Sequence, residues 1–343
     1  LRGALRIEPF EDFSLTPSIY YQKKHRSDTS LYWRALSDPE EGIFRNGQPI
    51  SQPGTDTFTL YSLAGQYDLG PVSFFSNTSY FDRAAPALID YTGYVGDLLG
   101  VDPVVPIGLG TFSPVDFRDA QKVFTQEARL QSAGTNRLNW VVGAFYQKSK
   151  QEADEFVRSP DLDVFFNSYF GAPTDAILGS GLTQPGDIAY SGVDRSRDSQ
   201  IAGFGQVDFE VLPGLTLIAG ARYAKNKFDF TNMQGGPFNG GTTSSVGKQS
   251  ETSFTPKVGI SYEPNPDLTF YATASKGYRP GGANTAVSAT RCATDLNELG
   301  LTKAPDTYGS DSLWSYEAGA KGQMFDRTLT FESSAYYIKW KGI

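Results

Sequence analysis

The sequence predicts an all-β fold, an antiparallel transmembrane β-barrel of which this chain would supply about 12 strands. Three features predict it: strand-like segments of roughly 10–15 residues, alternation of apolar and polar residues along them, and connections that are alternately short and long. Strands of soluble proteins usually have about 5–6 residues. Short turns at one end of a sheet and long loops at the other are typical of membrane barrels, whose periplasmic turns are short and whose outside loops are long.

Six tight turns and five long loops divide the chain. Each turn contains Gly, Pro, Asn or Asp, which commonly interrupt strands. The second long loop contains an apolar run, Val104–Gly110, which would either pack on other loops or mark an interaction surface. The turns lie near Pro9–Asp12, Leu69–Pro71, Ser132–Asn136, Val211–Gly214, Glu263–Asp267 and Met324–Asp326, and the loops span roughly 27–56, 84–119, 155–197, 232–250 and 280–312.

Alternation is clearest in the second half of the chain, in Leu215–Tyr223, Leu268–Tyr278, Trp314–Lys321 and Leu329–Tyr337. Such alternation marks a strand with one apolar and one polar face. In a membrane barrel the apolar face meets lipid, whereas in a soluble sandwich it meets a second sheet. Charges on the polar face favour a wet lumen, and the predicted lumen-facing residues are Arg222, Glu317, Lys321 and Glu332.

Three details of the strands are less regular. Phe58–Asp68 and Val72–Asp82 mix apolar and polar residues on both faces, so their inward face stays unassigned. Pro256 lies within the strand-like segment Phe254–Tyr262, where proline would remove a ladder hydrogen bond, so we expect a bulge or a strand start there. Tyr278 continues the apolar row of its strand.

Composition argues against several other functions. The net charge of −8 is wrong for a nucleic-acid partner, because the phosphate backbone needs a basic surface. A single histidine, His25, cannot form a histidine metal cluster, and the chain has no GxSxG, P-loop or dinucleotide motif. The single cysteine, Cys292, cannot form a disulfide within the chain. We therefore predict no enzyme, no metal site and no cofactor.

The C-terminal third resembles one known family. Residues 270–282 read FYATASKGYRPGG and resemble the strand-to-loop passage "YASxSxGYRPGG" of TonB-dependent outer-membrane receptors. Residues 313–322 read LWSYEAGAKG and resemble that family's "LWxYExGxKG" strand, and residues 335–340, AYYIKW, resemble the next one. Residues 204–223 resemble the family's "FGQxxY…LTAGxRY" hairpin. The resemblance covers most of residues 120–343.

The resemblance implies a 22-stranded barrel in the bacterial outer membrane, closed by an N-terminal plug domain. It also implies a partner, the TonB energy-transducing complex, and uptake of a scarce ligand, most often a ferric siderophore. We expect residues 1–343 to form a partial barrel of such a receptor, with the plug and the TonB-binding box outside this chain. Cobalamin, haem and oligosaccharide are alternative ligands.

Ligand contacts are expected from aromatic and cationic side chains of the outside loops. Such residues suit anionic, ring-bearing ligands such as catecholate iron complexes. The same side chains also pack loops and anchor interfaces, which is the alternative explanation for each. The candidates are Tyr32, Trp33, Arg34, Tyr91, Tyr94, Tyr278, Arg279 and Tyr308.

Other functions remain open from the sequence. A passive outer-membrane channel would have the same strands without a plug. A surface adhesin or a secreted β protein, such as a solenoid or large sandwich, would bury its apolar rows in protein. An outer-membrane lipase would need His25 as its base.

Overall fold

A computed structural model describes residues 1–100, 112–134, 136–179, 181, 183–288 and 292–342. These residues form one 14-stranded sheet and a separate two-stranded sheet, and every strand pairing is antiparallel, as predicted. The apolar run Val104–Gly110 lies outside the described residues. The strands are β1 (Arg2–Ala4), β2 (Ile7–Phe10), β3 (Phe13–Arg26), β4 (Gly54–Asp68), β5 (Val72–Ala84), β6 (Ala87–Asp90), β7 (Pro114–Ser132), β8 (Leu138–Arg158), β9 (Ile188–Leu212), β10 (Leu215–Gly235), β11 (Thr243–Asn265), β12 (Leu268–Arg279), β13 (Gly282–Ala283), β14 (Thr307–Tyr308), β15 (Asp311–Met324) and β16 (Leu329–Lys341).

Neighbours in the sheet are almost always neighbours in sequence. The main path runs β1-β3-β4-β5-β7-β8-β9-β10-β11-β12-β15-β16, which is 12 strands, while β2 pairs with β3 and β6 pairs with β4 and β7. In such an up-and-down order, successive connections lie at opposite ends of the sheet. Because short and long connections alternate along the chain, all short turns fall at one end. The predicted strand number is therefore confirmed for the described part of the chain.

The six predicted tight turns are all present as links of two to five residues between paired strands. Two of the predicted long loops are shorter than expected. The loop predicted at 155–197 is reduced to 159–187, and the one predicted at 232–250 is reduced to the seven residues 236–242. Polar residues occupy both faces of these strand ends, which hides a period of two although the ladder continues.

Helices occur only between strands in the described residues. They are α1 (Thr92–Leu99), α2 (Leu162–Phe170), α3 (Thr174–Leu178) and α4 (Ala293–Glu298), with two short 3-10 turns at Arg34–Leu36 and Pro237–Asn239. None of these helices is long and apolar enough to cross a membrane. Two small apolar clusters anchor the first two helices to the sheet end, one around Phe165 and Phe166 and the other around Val95 and Val115.

The apolar rows of the sheet are exposed. Leu217 is 45% exposed, Val258 55% and Phe270 45%, although each is flanked by well-paired strands. In a sandwich these side chains would be sealed against a second sheet. Their exposure fits a surface that meets hydrocarbon and makes the sandwich alternative wrong.

The expectation for Pro256 is also wrong. Pro256 lies inside β11 and is directly opposite Ala221 of β10, with no register shift in that ladder. On the other side of β11 the ladder with β12 begins one residue later, at Lys257. The proline thus lies at the end of one ladder, where its missing N–H interrupts no continuous pairing.

Candidate ligand-binding face

One face of the sheet collects the polar residues. Directly opposed residues of antiparallel strands point to the same face, so a row can be followed from strand to strand. Such a row joins eight strands through Ser14, Gln66, Phe75, Arg129, Gly143, Phe204, Arg222 and Thr255.

The four charged residues predicted for the lumen lie together on this polar face. Gly259 is four residues from Thr255 in β11 and therefore points to the same face of the sheet. It is opposite Thr273, which is opposite Glu317. Lys321 has the parity of Glu317 and is opposite Glu332. The register thus places Arg222, Glu317, Lys321 and Glu332 on one side of the sheet; that this side lines a lumen stays a prediction.

Arginines on the polar face lie over phenylalanine rings. The Arg222 guanidinium carbon is 5.0 Å from the Phe145 ring centroid and 5.9 Å from that of Phe204. Arg222 also donates to Oε1 of Gln200 at 2.6 Å. Arg129 lies 5.1 Å from the Phe75 ring centroid, and its buried Nε has no hydrogen-bond partner among the described residues. Arg129 is also ion-paired with Glu127 at 3.3 Å, whereas Arg222 has no ion pair in the part of the chain that the structure describes and can still attract an anion.

The other three predicted wall residues are paired with each other or with tyrosine. Tyr271 donates its hydroxyl hydrogen to Oε1 of Glu317 at 2.6 Å. Lys321 Nζ lies 2.6 Å from Oε1 of Glu332, and both side chains are more than half exposed, at 54% and 64%. An exposed pair of this kind contributes little to stability, because water screens it.

Two glycines of this face lie beneath aromatic rings of the opposite strand. A Cβ added to Gly143 would lie 2.5 Å from Cζ of Phe204 and 2.9 Å from the carbonyl oxygen of Ala128. A Cβ added to Gly319 would lie 2.8 Å from Cε1 of Tyr271. Both rings are directly opposite the glycine that they cover. The glycines therefore leave room for the aromatic rings to lie flat against the strand.

The register assigns a face to the strands that the sequence left open. Phe58 and Phe81 belong to the polar face, because Phe58 has the parity of Gln66 and Phe81 that of Phe75. Tyr20 stacks on Phe58 with ring centroids 5.5 Å apart, and Phe58 lies 5.5 Å from Phe81. This aromatic group explains why alternation was unreadable: both faces of β4 and β5 carry large apolar side chains.

The first group of predicted ligand residues forms a local loop structure. Tyr32 packs edge to face on Phe44, with ring centroids 5.0 Å apart. The Trp33 ring lies against Gly47, where a Cβ would come within 2.5 Å of it. Arg34 begins the short 3-10 turn and is exposed. These three residues thus shape the loop between β3 and β4.

The second group lines a cavity, which we call the tyrosine pocket. It has a volume of about 620 Å³ and is lined by Tyr91, Tyr94, Val95, Leu98, Glu155, Val157, Tyr190 and Phe238. The rings of Tyr91 and Tyr94 are 5.5 Å apart and inclined at 61°. Burial, reinforced by the Glu155 carboxylate, raises the pKa of Tyr91 to about 12, so its hydroxyl stays protonated and neutral beside Glu155.

The third group lies where the loop 280–310 leaves and rejoins the sheet. The Tyr278 hydroxyl donates to Oε2 of Glu251 at 3.0 Å, and the amide of Gly281 donates to the same oxygen at 3.1 Å. The amide of Ser310 donates to Oε1 at 3.1 Å. We call this arrangement the Glu251 clamp, because one carboxylate holds both ends of the loop. Gln249 adds a bond from Nε2 to the carbonyl of Tyr308 at 2.5 Å.

The placement of Tyr278 on the apolar row requires correction. Its hydroxyl contacts Glu251 and Asn226, which are directly opposed residues of the polar face. The reason is local: the ladder between β11 and β12 ends at Lys257 and Ser275, and β12 then continues along β15 alone. Without a partner on that side, the end of β12 lets Tyr278 reach the polar face.

Arg279 has a structural partner. Its Nε donates to Oδ2 of Asp311 at 2.7 Å, and its guanidinium lies 5.5 Å from the Trp340 ring centroid. We expect Arg279→Gln to lower the free energy of unfolding by about 1–2 kcal/mol, because Asp311 is only 6% exposed and would lose its cation while the partly exposed pair is screened by water. Urea unfolding of the detergent-solubilised protein measures this. The double variant Arg279→Gln/Asp311→Asn should recover most of the loss, and a single variant as stable as the wild type would contradict the structural role.

Several residues of these sites were not predicted. Glu251 was missed because it falls between the loop predicted at 232–250 and the strand-like segment Phe254–Tyr262, whereas β11 already begins at Thr243. Tyr190 comes from the start of β9 and Phe238 from the link between β10 and β11, and they meet Glu155 only in the folded chain. Within the described residues, no three His, Cys, Asp or Glu side chains come together as a metal site.

Comparison with known proteins decides the family. Residues 8–343 match the family described as TonB dependent receptor-like, beta-barrel. The chain belongs to the TonB-dependent receptor β-barrel family. Members of this family are outer-membrane β-barrel proteins, so the predicted barrel class and outer-membrane location are confirmed.

Relatives of this TonB-dependent receptor chain are distant in sequence. The metal-pseudopaline receptor CntO of Pseudomonas aeruginosa is 27% identical over 128 residues, which are 37% of this chain and 15% of CntO. The ferric yersiniabactin uptake receptor FyuA of Yersinia pestis superimposes with a TM-score of 0.68 at 13% identity, covering 96% of this chain and 43% of FyuA.

Two further siderophore receptors share the fold. The structure of P. aeruginosa FpvA bound to heterologous pyoverdines gives a TM-score of 0.62 at 15% identity, covering 98% of this chain and 41% of FpvA. The siderophore receptor PiuA of Acinetobacter baumannii gives 0.57 at 14% identity, covering 98% and 48%. The chain thus spans less than half the length of these receptors, and the likeness concerns the barrel fold.

Proposed function

We propose that the protein takes up a ferric siderophore across the outer membrane, driven by the TonB energy-transducing complex. The observation that carries this proposal is that two cavities, one beside Arg26 and Arg83 and the other the tyrosine pocket, lie at the long-loop end of the sheet, in a chain of the TonB-dependent receptor family. FyuA, FpvA and PiuA, which share its fold, are siderophore receptors by name or bound ligand. A scarce ligand must be captured at that end before it can pass.

In this proposal the apolar rows meet lipid and the polar face lines the interior of the barrel. Arg222, Glu317, Lys321 and Glu332 would then be wall residues, and a ligand would enter past the loops. Tyr91 and Tyr94 are the strongest of the proposed ligand contacts, because they border a cavity large enough for a ligand group. Tyr32, Trp33, Arg34 and Tyr308 would contribute from the loops, and Tyr278 and Arg279 would act mainly by holding loop 280–310 in place.

Uptake of radioactive iron by a strain lacking the receptor tests the proposal. We expect the deletion to abolish uptake of at least one ferric siderophore, and the full-length gene to restore it. Restored uptake should stop when a protonophore collapses the inner-membrane gradient, because the outer membrane has no energy source of its own. Uptake that continues with the protonophore would indicate a passive channel instead. Unchanged uptake of every siderophore, with loss of cobalamin or sugar uptake, would refute the iron assignment.

A further inference from the structure

We propose that the tyrosine pocket binds a positively charged group of the ligand, an ammonium or a guanidinium. This inference rests on the proposed uptake function only for the identity of the whole ligand. The preference for a cation follows from the residues that line the pocket. The pocket combines aromatic rings with one carboxylate, which is the composition that recognises organic cations.

The geometry places aromatic side chains and the carboxylate around one space. Tyr91 and Tyr94 approach from the segment that begins α1, and Phe238 comes from the link between β10 and β11. Glu155 and Tyr190 come from β8 and β9, where Glu155 is opposite Gly192 and Val157 is opposite Tyr190. The side chains therefore surround the cavity from four parts of the chain, and its volume of about 620 Å³ exceeds the size of an ammonium head group.

The carboxylate of Glu155 lines the pocket beside Tyr91 and forms no ion pair with a cation among the described residues. The Tyr91 hydroxyl in the same pocket is neutral, because burial and the Glu155 carboxylate raise the pKa of Tyr91 to about 12, so it leaves the negative charge of Glu155 in place. A second carboxylate, Asp194, is on the same face and is hydrogen-bonded by Asn232 at 2.6 Å. The two carboxylates make the local electrostatic potential negative, so the pocket would attract a cation, which would neutralise part of this charge.

The basic residues of the neighbouring strands are engaged elsewhere. Arg195 is ion-paired with Asp154 at 2.5 Å and lies 3.8 Å from Glu152, on the opposite face of β8 and β9 from Glu155. Arg158 is ion-paired with Asp116 at 2.5 Å. Neither guanidinium is left to neutralise Glu155. An anionic ligand group would therefore be repelled from this pocket, while Arg222, which lies over Phe145 on the wall below and has no ion pair within the described part of the chain, would suit it better.

A pair of small probes tests the charge requirement directly. Choline and 3,3-dimethyl-1-butanol have the same shape, but only choline is charged. We expect choline to bind the purified full-length receptor at least ~10-fold more tightly than the neutral alcohol, measured by ligand-observed NMR titration. Glu155→Gln should abolish this preference, because it removes the charge and keeps the shape.

Glu152→Gln is the matched control. It removes the same charge from the same strand, three positions away and on the other face, and should leave the preference for choline intact. Equal binding of the two probes, no detectable binding of choline, or an unchanged preference in Glu155→Gln would each overturn the inference. Iron uptake by cells that carry the full-length receptor separates the two proposals. A choline preference without any siderophore uptake would refute the uptake function alone, and siderophore uptake without a choline preference would refute the cationic pocket alone.

Discussion

Replacing Glu251 by alanine is expected to release the loop 280–310 from the sheet. The variant removes one acceptor for three donors, which are the amides of Gly281 and Ser310 and the hydroxyl of Tyr278. Hydrogen bonds to a charged group each contribute roughly 1.5–3 kcal/mol, and water replaces part of this at an accessible site, so we expect a net local loss of about 2 kcal/mol. That loss corresponds to an open population ~30-fold larger.

Hydrogen exchange of the amides of Gly281 and Ser310, followed by mass spectrometry of peptides from this loop, measures the opening. Glu263→Ala serves as control, since Glu263 is an exposed carboxylate at the tight-turn end of the same strand. We expect faster exchange in Glu251→Ala alone, together with weaker ligand binding if the loop helps to enclose the ligand. Exchange at the wild-type rate in Glu251→Ala would show that the clamp does not hold the loop.

Replacing Gly143 by alanine is expected to destabilise the barrel by about 1–3 kcal/mol, the usual effect of overpacking. The added Cβ would lie 2.5 Å from the Phe204 ring and 2.9 Å from the Ala128 carbonyl oxygen. The ring can rotate away, but the carbonyl belongs to the ladder between β7 and β8 and cannot move without disturbing it. Urea unfolding in detergent micelles measures the change.

Gly203→Ala is the control for this second prediction. Gly203 lies in the adjacent strand, and a Cβ there would meet no atom within 4 Å. We expect it to be neutral or to raise the free energy of unfolding by up to ~1 kcal/mol, because alanine loses less backbone entropy than glycine. If both alanine variants unfold at the same urea concentration, the packing of Phe204 on Gly143 has no energetic importance.

The strand number, the turns and the faces of the later strands were predictable because they follow from local pattern. In Trp314–Lys321 every second residue is apolar, and the register agrees with that split. In β4 and β5 the pattern fails, because the polar face itself carries Phe58 and Phe81. Only pairing with strands of known face resolves such a case, and pairing is not a property of one segment.

The candidate sites were predictable in part. The aromatic residues Tyr91 and Tyr94 drew attention by type, and the cavity beside them agrees with a binding role that stays a prediction. Glu155, the carboxylate in the same pocket, lies at the start of the loop predicted at 155–197 and was not singled out, because its distance from Tyr91 depends on how the chain between them folds. Glu251 was hidden for a related reason: its importance lies in three long-range hydrogen bonds that no sequence spacing displays.

The unequal length of the strands gives the rim of the sheet an oblique outline. Strands β8 to β11 have 21 to 25 residues, whereas β3 to β5 have 13 to 15, and the tight turns of both groups lie at the same end. The difference of about eight residues corresponds to ~26 Å along a strand. The strands β8 to β11 would therefore extend farther from the tight-turn end and obstruct a diffusing solute, whereas the shorter strands β3 to β5 would leave that side of the rim lower.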